Sequence, residues 1–294
     1  MQDKREIKKR LGLHTSIAGG VPLSLKRAME LGCSTMQIFS HNPRGWSSKS
    51  VNEVDAAEFR RLTEDYDIKP VFIHSSYLIN LSSPDKEIRR KSVDLLAFEL
   101  RMADILGVDY VVLHPGKAVG QDVREAMKKA SESLTEVGKK AGTRAGLLLE
   151  NTAGQKGDIS SSVPFISDII SGVPDGLIKG ICLDTCHAYA AGYDIMKESG
   201  LERLRDEITR CLDPLKVELI HLNDSKKGLS SGVDRHEHIG KGEIGSEGIK
   251  NFLSYSFFRN VPLVLETPRH SDGDDIKNLK MVRRILREIG TGFR

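Results

Sequence analysis

Eight short apolar runs recur along the 294-residue chain: LGLH (11–14), MQIFS (36–40), VFIH (71–74), YVVLH (110–114), GLLLE (146–150), GICLD (180–184), ELIH (218–221) and PLVLE (262–266). Four or five residues rich in Val, Ile and Leu read as strands buried on both faces, the kind found in parallel sheets. Between them lie amphipathic segments of helical period. Residues 86–107 place Ile88, Leu95, Leu96, Met102 and Leu106 broadly along one side, with Gly107 where a helix would be capped. Residues 123–142 repeat the design with Val123, Met127, Ala130, Leu134 and Val137, ending at Gly142. FISDII, LERLRDEITRCL and IKNLKMVRRILREIG supply further helices. Strand then helix, eight times, predicts a (β/α)8 barrel. One domain over residues 1–294 is expected, with 1–10 as a charged N-terminal extension.

Composition adds little beyond limits. Hydrophobic content of 39% with 29% charged residues suits a globular protein with a large core. No apolar stretch approaches the roughly 18 residues of a bilayer span, and the first residues lack a secretory apolar region. The expectation is a cytoplasmic protein without a membrane partner. Four cysteines (Cys33, Cys182, Cys186, Cys211) form no CxxC pair and read as reduced thiols. A net charge of +3 permits a polyanionic partner without demanding one.

The runs end on His14, Ser40, His74, His114, Glu150, Asp184, His221 and Glu266. A buried strand has no use for a charged terminus. In a barrel all eight ends share one face, so these groups point to one site. His187, in DTCH, and Asp234 and His236, in the long stretch 223–245, join them. Charged groups clustered at a barrel mouth repel unless cations neutralise them. Nine ligand candidates result: His74, His114, Glu150, Asp184, His187, His221, Asp234, His236 and Glu266. Five are imidazoles, which favours Zn²⁺, with Mn²⁺ or Fe²⁺ as other occupants. Nine ligands exceed one tetrahedral ion and suit three, with one carboxylate bridging.

Other features carry less. His14 could be a ligand or support one, His41 and His238 could equally support the site, face a polyanion or be solvated, and His270 reads as solvated. Cys182 sits among apolar neighbours and reads as packing. Gly240-Lys241-Gly242-Glu243-Ile244-Gly245 spells GxGxxG, but a dinucleotide fingerprint follows a strand and this one follows VDRHEHI. It reads instead as a flexible loop closing onto the next helix.

The segments LHTSIAGG, SSYLINL, LHPG, LENTAGQ, CLDTCHAYAAGYD, HLNDSK, VDRHEHIGKGEIG and LET fall in order over residues 13–267. Together they resemble the endonuclease IV family of apurinic/apyrimidinic endonucleases. That resemblance implies a TIM barrel with three zinc ions that cuts DNA 5′ to an abasic site, leaving a 3′-hydroxyl and a 5′-deoxyribose phosphate. It implies one ion on His74, His114 and Glu150, a second on Glu150, Asp184, His221 and Glu266, and a third on His187, Asp234 and His236. Glu150 would be the bridging, catalytic carboxylate. Arg44 and Tyr77 match loop residues that enter the DNA. Two departures stand out: Glu237 follows the DRH motif where the family often has His, and Pro43 and Gly45 flank Arg44.

The implied partner is double-stranded DNA carrying abasic or other damaged sites, acted on by a monomer. Lys117, Lys226, Lys227, Arg235 and Lys241 are candidate phosphate contacts. The rival expectation is a metal-dependent barrel sugar isomerase or epimerase, which needs neither the third ligand set nor the long loop. A zinc-bearing damage-binding module is a further alternative, but structural zinc sites are closed and usually cysteine-rich.

Overall fold

The computed structural model describes residues 9–47, 49–271 and 273–290. Most of the charged N-terminal extension therefore lies outside the described residues. Eight parallel strands close into a barrel: β1 (Leu11–His14), β2 (Thr35–Ile38), β3 (Val71–His74), β4 (Tyr110–Leu113), β5 (Gly146–Glu150), β6 (Ile178–Asp184), β7 (Lys216–His221) and β10 (Leu263–Leu265), with β10 pairing β1 to seal the ring. The two remaining strands, β8 (Asp224–Ser225) and β9 (His236–Glu237), form an antiparallel ribbon inside the stretch after β7.

The crossovers are α1 (Val21–Glu30), α2 (Glu53–Asp65), α3 (Lys86–Leu106), α4 (Val123–Ala141), α5 (Val163–Ser171), α6 (Thr185–Ala190) with α7 (Glu198–Leu212), α8 (Gly245–Ser254) and α9 (Asp274–Glu288). Side-chain caps fix the starts of several. Asn52, Asp85 and Asp122 accept hydrogen bonds from first-turn amides of α2, α3 and α4. Gly107 (φ 70°) and Gly142 (φ 61°) end α3 and α4 in the left-handed conformation expected of a C-cap glycine.

Strand alternation divides the apolar residues into two layers. Phe72, Val112, Leu148, Cys182, Leu219 and Val264 fill the lumen, so the barrel is a packed core and not a pore. Outward residues such as Ile73, Val111, Leu149 and Leu263 pack under the helices. Ile88 differs from its expected place: it is exposed, because it lies in the first turn of α3 before the helix settles on its neighbours.

Strand ends also differ in detail. β2 stops at Ile38, so Ser40 lies two residues past it, while His114 and Glu266 each sit one residue beyond their strands. Among the described residues no helix is long and apolar enough to cross a membrane.

Candidate metal centre

The lumen layer forms the floor of a mouth at the strand C-terminal ends, a cavity of about 760 Å³ lined in part by His14, His74, His114, His187, His236 and Glu266. All nine ligand candidates converge there. Their ligand atoms fall into sets whose members lie within 4.8 Å of one another: His74, His114 and Glu150; Glu150, Asp184, His221 and Glu266; and His187, Asp234 and His236. Glu150 belongs to two sets. Its Oε2 lies 3.0 Å from Nε2 of His114 and 3.4 Å from Nε2 of His74, and its Oε1 lies 3.0 Å from Nδ1 of His221.

Four of the five imidazoles are aimed by their second nitrogen. Nδ1 of His74, His187 and His236 lies 2.8, 2.9 and 3.0 Å from the carbonyl oxygens of Ser75, Asn151 and Glu266. A carbonyl only accepts, so each Nδ1 carries a hydrogen and Nε2 is the atom offered to the centre. His221 is turned round. Its Nε2 donates to Oε1 of Gln37 at 2.9 Å, and Nδ1 faces Glu150 and Glu266.

The carboxylates are held as firmly. Asp184 ends β6 and caps α6, accepting from the backbone N–H of His187 at 2.8 Å, while its other oxygen accepts from Nδ2 of Asn223 at 2.7 Å. Nε2 of Gln37 donates to Glu266 at 2.6 Å. Asn151 bonds the backbone of Asp184 in both directions. Sequence reasoning missed Gln37, Asn151 and Asn223. The available signal was an amide inside the apolar run MQIF, and amides just beyond the ends of β5 and β7.

The long stretch after β7 is anchored by Asp224, whose carboxylate accepts backbone N–H groups from Gly240, Gly242, Ile244 and Gly245 at 2.9–3.2 Å. The GxGxxG segment is thus an anion cradle filled by the chain's own carboxylate. A Cβ at Gly242 would stand 2.5 Å from Oδ1 of Asp224 and 2.3 Å from the carbonyl of Ser225, so only glycine fits. The expected flexible loop is instead tied down, which places Asp234 and His236 beside His187.

Electrostatics follow from crowding charge in a buried place. Burial pushes the Glu150 carboxyl up, but the His114 and His221 imidazoles outweigh it and hold the group well below the ordinary carboxylate range. Asp234 is lowered to about 2, burial being outweighed by its contacts with His187 and His236. Conversely, burial disfavours charge on His74 and His236, yet Glu150 and Glu266 raise the first to about 9 and Asp184 the second to about 9.

The donor set fits metal binding. Oε2 of Glu150 and Nε2 of His187 and His236 are buried and make no hydrogen bond, although each has an oppositely charged neighbour within 3.4 Å. Atoms that approach this closely without hydrogen-bond alignment are pointed at a shared position. Mixed imidazole and carboxylate donors suit zinc-like ions, whereas calcium and magnesium favour all-oxygen sets.

The expected DNA-facing residues lie on the rim. Tyr77 is 68% exposed, with its ring 5.2 Å from that of Phe39, and Arg44 is exposed on the loop after β2. Of the candidate phosphate contacts, Lys117 and Arg235 line the mouth and Lys226, Lys227 and Lys241 are exposed outside that lining; Arg269, not singled out from sequence, also lines it. His14 stands beside Glu266, its Nδ1 3.4 Å from Oε1. His41 and His238 are occupied by Glu99 and Asn278.

Residues 25–289 match the family described as xylose isomerase-like TIM barrel. The "Probable endonuclease 4" of Halothermothrix orenii is 42% identical over 278 residues, 94% of this chain and 99% of that protein. The crystal structure of endonuclease IV from Thermus thermophilus superposes with a TM-score of 0.85 at 37% identity, covering 95% of this chain and 99% of that one. A D-tagatose 3-epimerase-like protein superposes at 0.69 with 17% identity, a likeness of fold alone. With identity at this level over nearly its whole length, the chain belongs to the endonuclease IV family of TIM-barrel proteins.

Proposed function

We propose that the protein is a DNA-repair endonuclease that hydrolyses the phosphodiester 5′ to abasic sites, using three zinc ions and leaving a 3′-hydroxyl and a 5′-deoxyribose phosphate. The observation that carries this reading is the division of the nine ligand candidates into three sets, two of which share Glu150. His74 and His114 with Glu150 would hold one ion. Glu150, Asp184, His221 and Glu266 would hold the second, and His187, Asp234 and His236 the third. Bound there, the ions supply Lewis acidity that activates water near neutral pH and offsets charge on the phosphoryl oxygens.

The chain's own residues do the rest. Four carboxylates against three dications leave the centre net positive, which suits an anionic phosphodiester. Lys117, Arg235 and Arg269 rim the mouth and bind flanking phosphates. Gln37 fixes the orientation of both His221 and Glu266, so neither has to be organised during the reaction. Arg44 and Tyr77 enter the duplex and hold the lesion out of the stack, a displacement that is easiest where a base is already missing. The names of the relatives support this substrate.

A sugar epimerase reading is less well supported. It leaves the third ligand set and the tied loop over 226–245 without a task, and its likeness rests on fold. The test is to load the protein with zinc and offer duplex DNA carrying one abasic site, then a panel of ketohexoses. A single nick 5′ to the lesion, with about three ions per chain by elemental analysis, is expected. Epimerisation without nicking, or full nicking with one ion or none, would overturn the proposal.

A further inference from the structure

Val119 sits on the rim of the mouth in a conformation that valine resists. Its φ is 48°, and Gly120 follows at 82°. The N–H of Gln121 bonds the carbonyl of Ala118 at 3.2 Å, so residues 118–121 form a tight turn with two left-handed central residues. Such turns call for Asn, Asp or Gly, and a β-branched residue at positive φ is an outlier.

The turn is pinned on both sides, at its exit by Nε2 of Gln121, which donates to the carbonyl of Ser82. Ala118 donates its N–H to Gly157 at 2.8 Å, and the carbonyl of Lys117 accepts from Nδ2 of Asn80 at 3.1 Å and from Oγ of Ser82 at 2.9 Å. Burial does not explain the valine either. It is 62% exposed and lines the cavity above the ligand sets together with Tyr77, Lys117 and Arg235. A strained apolar side chain held rigidly against solvent, on a lining shared with two cations and an aromatic ring, breaks the local rule without a folding gain. Such violations belong to functional positions.

We infer that Val119 is an apolar contact for DNA seated in the mouth, pressing on the deoxyribose and base-stack surface beside the lesion. The inference rests on the DNA reading above. Apolar side chains are the usual means of wedging against unstacked steps, and an abasic site offers a gap with no base to fill it. Rigidity matters here, since a wedge that could retreat would not hold the nucleotide displaced.

Two variants separate the side chain from the turn. Val119→Asn suits the left-handed turn and should raise the melting temperature by about 2–4 °C. It should nevertheless weaken binding to an abasic duplex about tenfold. Val119→Ala keeps the strain, loses the apolar bulk, and should weaken binding similarly without stabilising the fold. Affinity for intact duplex should change less than about twofold, and the salt dependence should keep its slope because no phosphate contact is lost. A Val119→Asn protein that binds abasic DNA like the parent would overturn the inference, and so would a loss accompanied by a shallower salt slope, which would implicate Lys117. If the parent itself neither binds nor nicks abasic DNA, the DNA reading fails and this contact with it. If the parent does both and the variants match it, the contact alone fails.

Discussion

Nε2 of His41 lies 3.0 Å from Oε1 of Glu99, and both side chains are buried beneath the rim of the mouth. The same carboxylate oxygen accepts the backbone N–H of Ser76 at 2.9 Å, and Oγ of Ser76 donates to the carbonyl of Pro43 at 2.7 Å. One carboxylate from α3 therefore joins the loop that carries Arg44 to the loop that carries Tyr77.

Loosening that joint should blur damage recognition. Glu99→Gln removes the charge and is expected to cost about 1–3 kcal/mol of stability. It should raise KM for abasic DNA several-fold while kcat and metal content stay near the parent's. Arg44→Ala combined with Tyr77→Ala should weaken binding in the same direction with the melting temperature almost unchanged. Titrating labelled abasic duplex and recording melting curves distinguishes the two. A Glu99→Gln protein that loses stability but keeps its KM would show that the pair serves the fold only.

Glu150 is fully buried and touches His74, His114 and His221, so it cannot be neutralised without consequence. Glu150→Gln should lose cleavage and at least one ion per chain, because an amide replaces the anion shared by two ligand sets. Circular dichroism should still report a folded barrel. Near-normal turnover in this variant would remove Glu150 from the centre.

The imidazole shifts predict opposite pH behaviour with and without metal. His74 and His236 are raised to about 9 in the folded chain, against an ordinary value of 6.5. Their protonation stabilises the metal-free fold fully below about pH 6.5, and that stabilisation is lost as pH rises through about 9. Metal-free protein should therefore melt at progressively lower temperature between these limits. Zinc-loaded protein should not, since ions replace the protons, and loading near pH 7.5 should release protons measurable by calorimetry in buffers of different ionisation enthalpy. Parallel melting profiles for the two forms would contradict the assignment.

Asp224 touches none of the nine ligands, yet its cradle sets where Asp234 and His236 stand. Asp224→Asn and Gly242→Ala should each lower metal content from about three ions towards two. Exchange of backbone hydrogens over residues 226–245 should quicken in both, with the barrel strands unaffected. If both variants keep a full complement of ions, the third set is held by other means.

The barrel was legible because buried parallel strands leave continuous apolar runs, and six of the nine ligand candidates stood out because charge at the end of such a run has no packing role. His114 and Glu266 were recognisable even though they sit one residue past their strands. Gln37 was not: its value depends on neighbours 184 and 229 residues away, which a local pattern does not carry. Asp224 was hidden for a related reason. A glycine-rich segment announces an anion, but not that the anion belongs to the same chain. Val119 was invisible because valine in a tight turn contradicts the rules by which turns are found.

Five of the nine ligand candidates are gripped by an atom other than the one they turn to the centre: Nδ1 of His74, His187 and His236, Nε2 of His221, and the capping oxygen of Asp184. The shape of the centre is thus written into hydrogen bonds within the chain itself. If the centre holds ions as proposed, a chain stripped of them should stay folded, a template waiting to be refilled. Recovery of activity would then be limited by the arrival of the ions and not by any refolding of the protein around them.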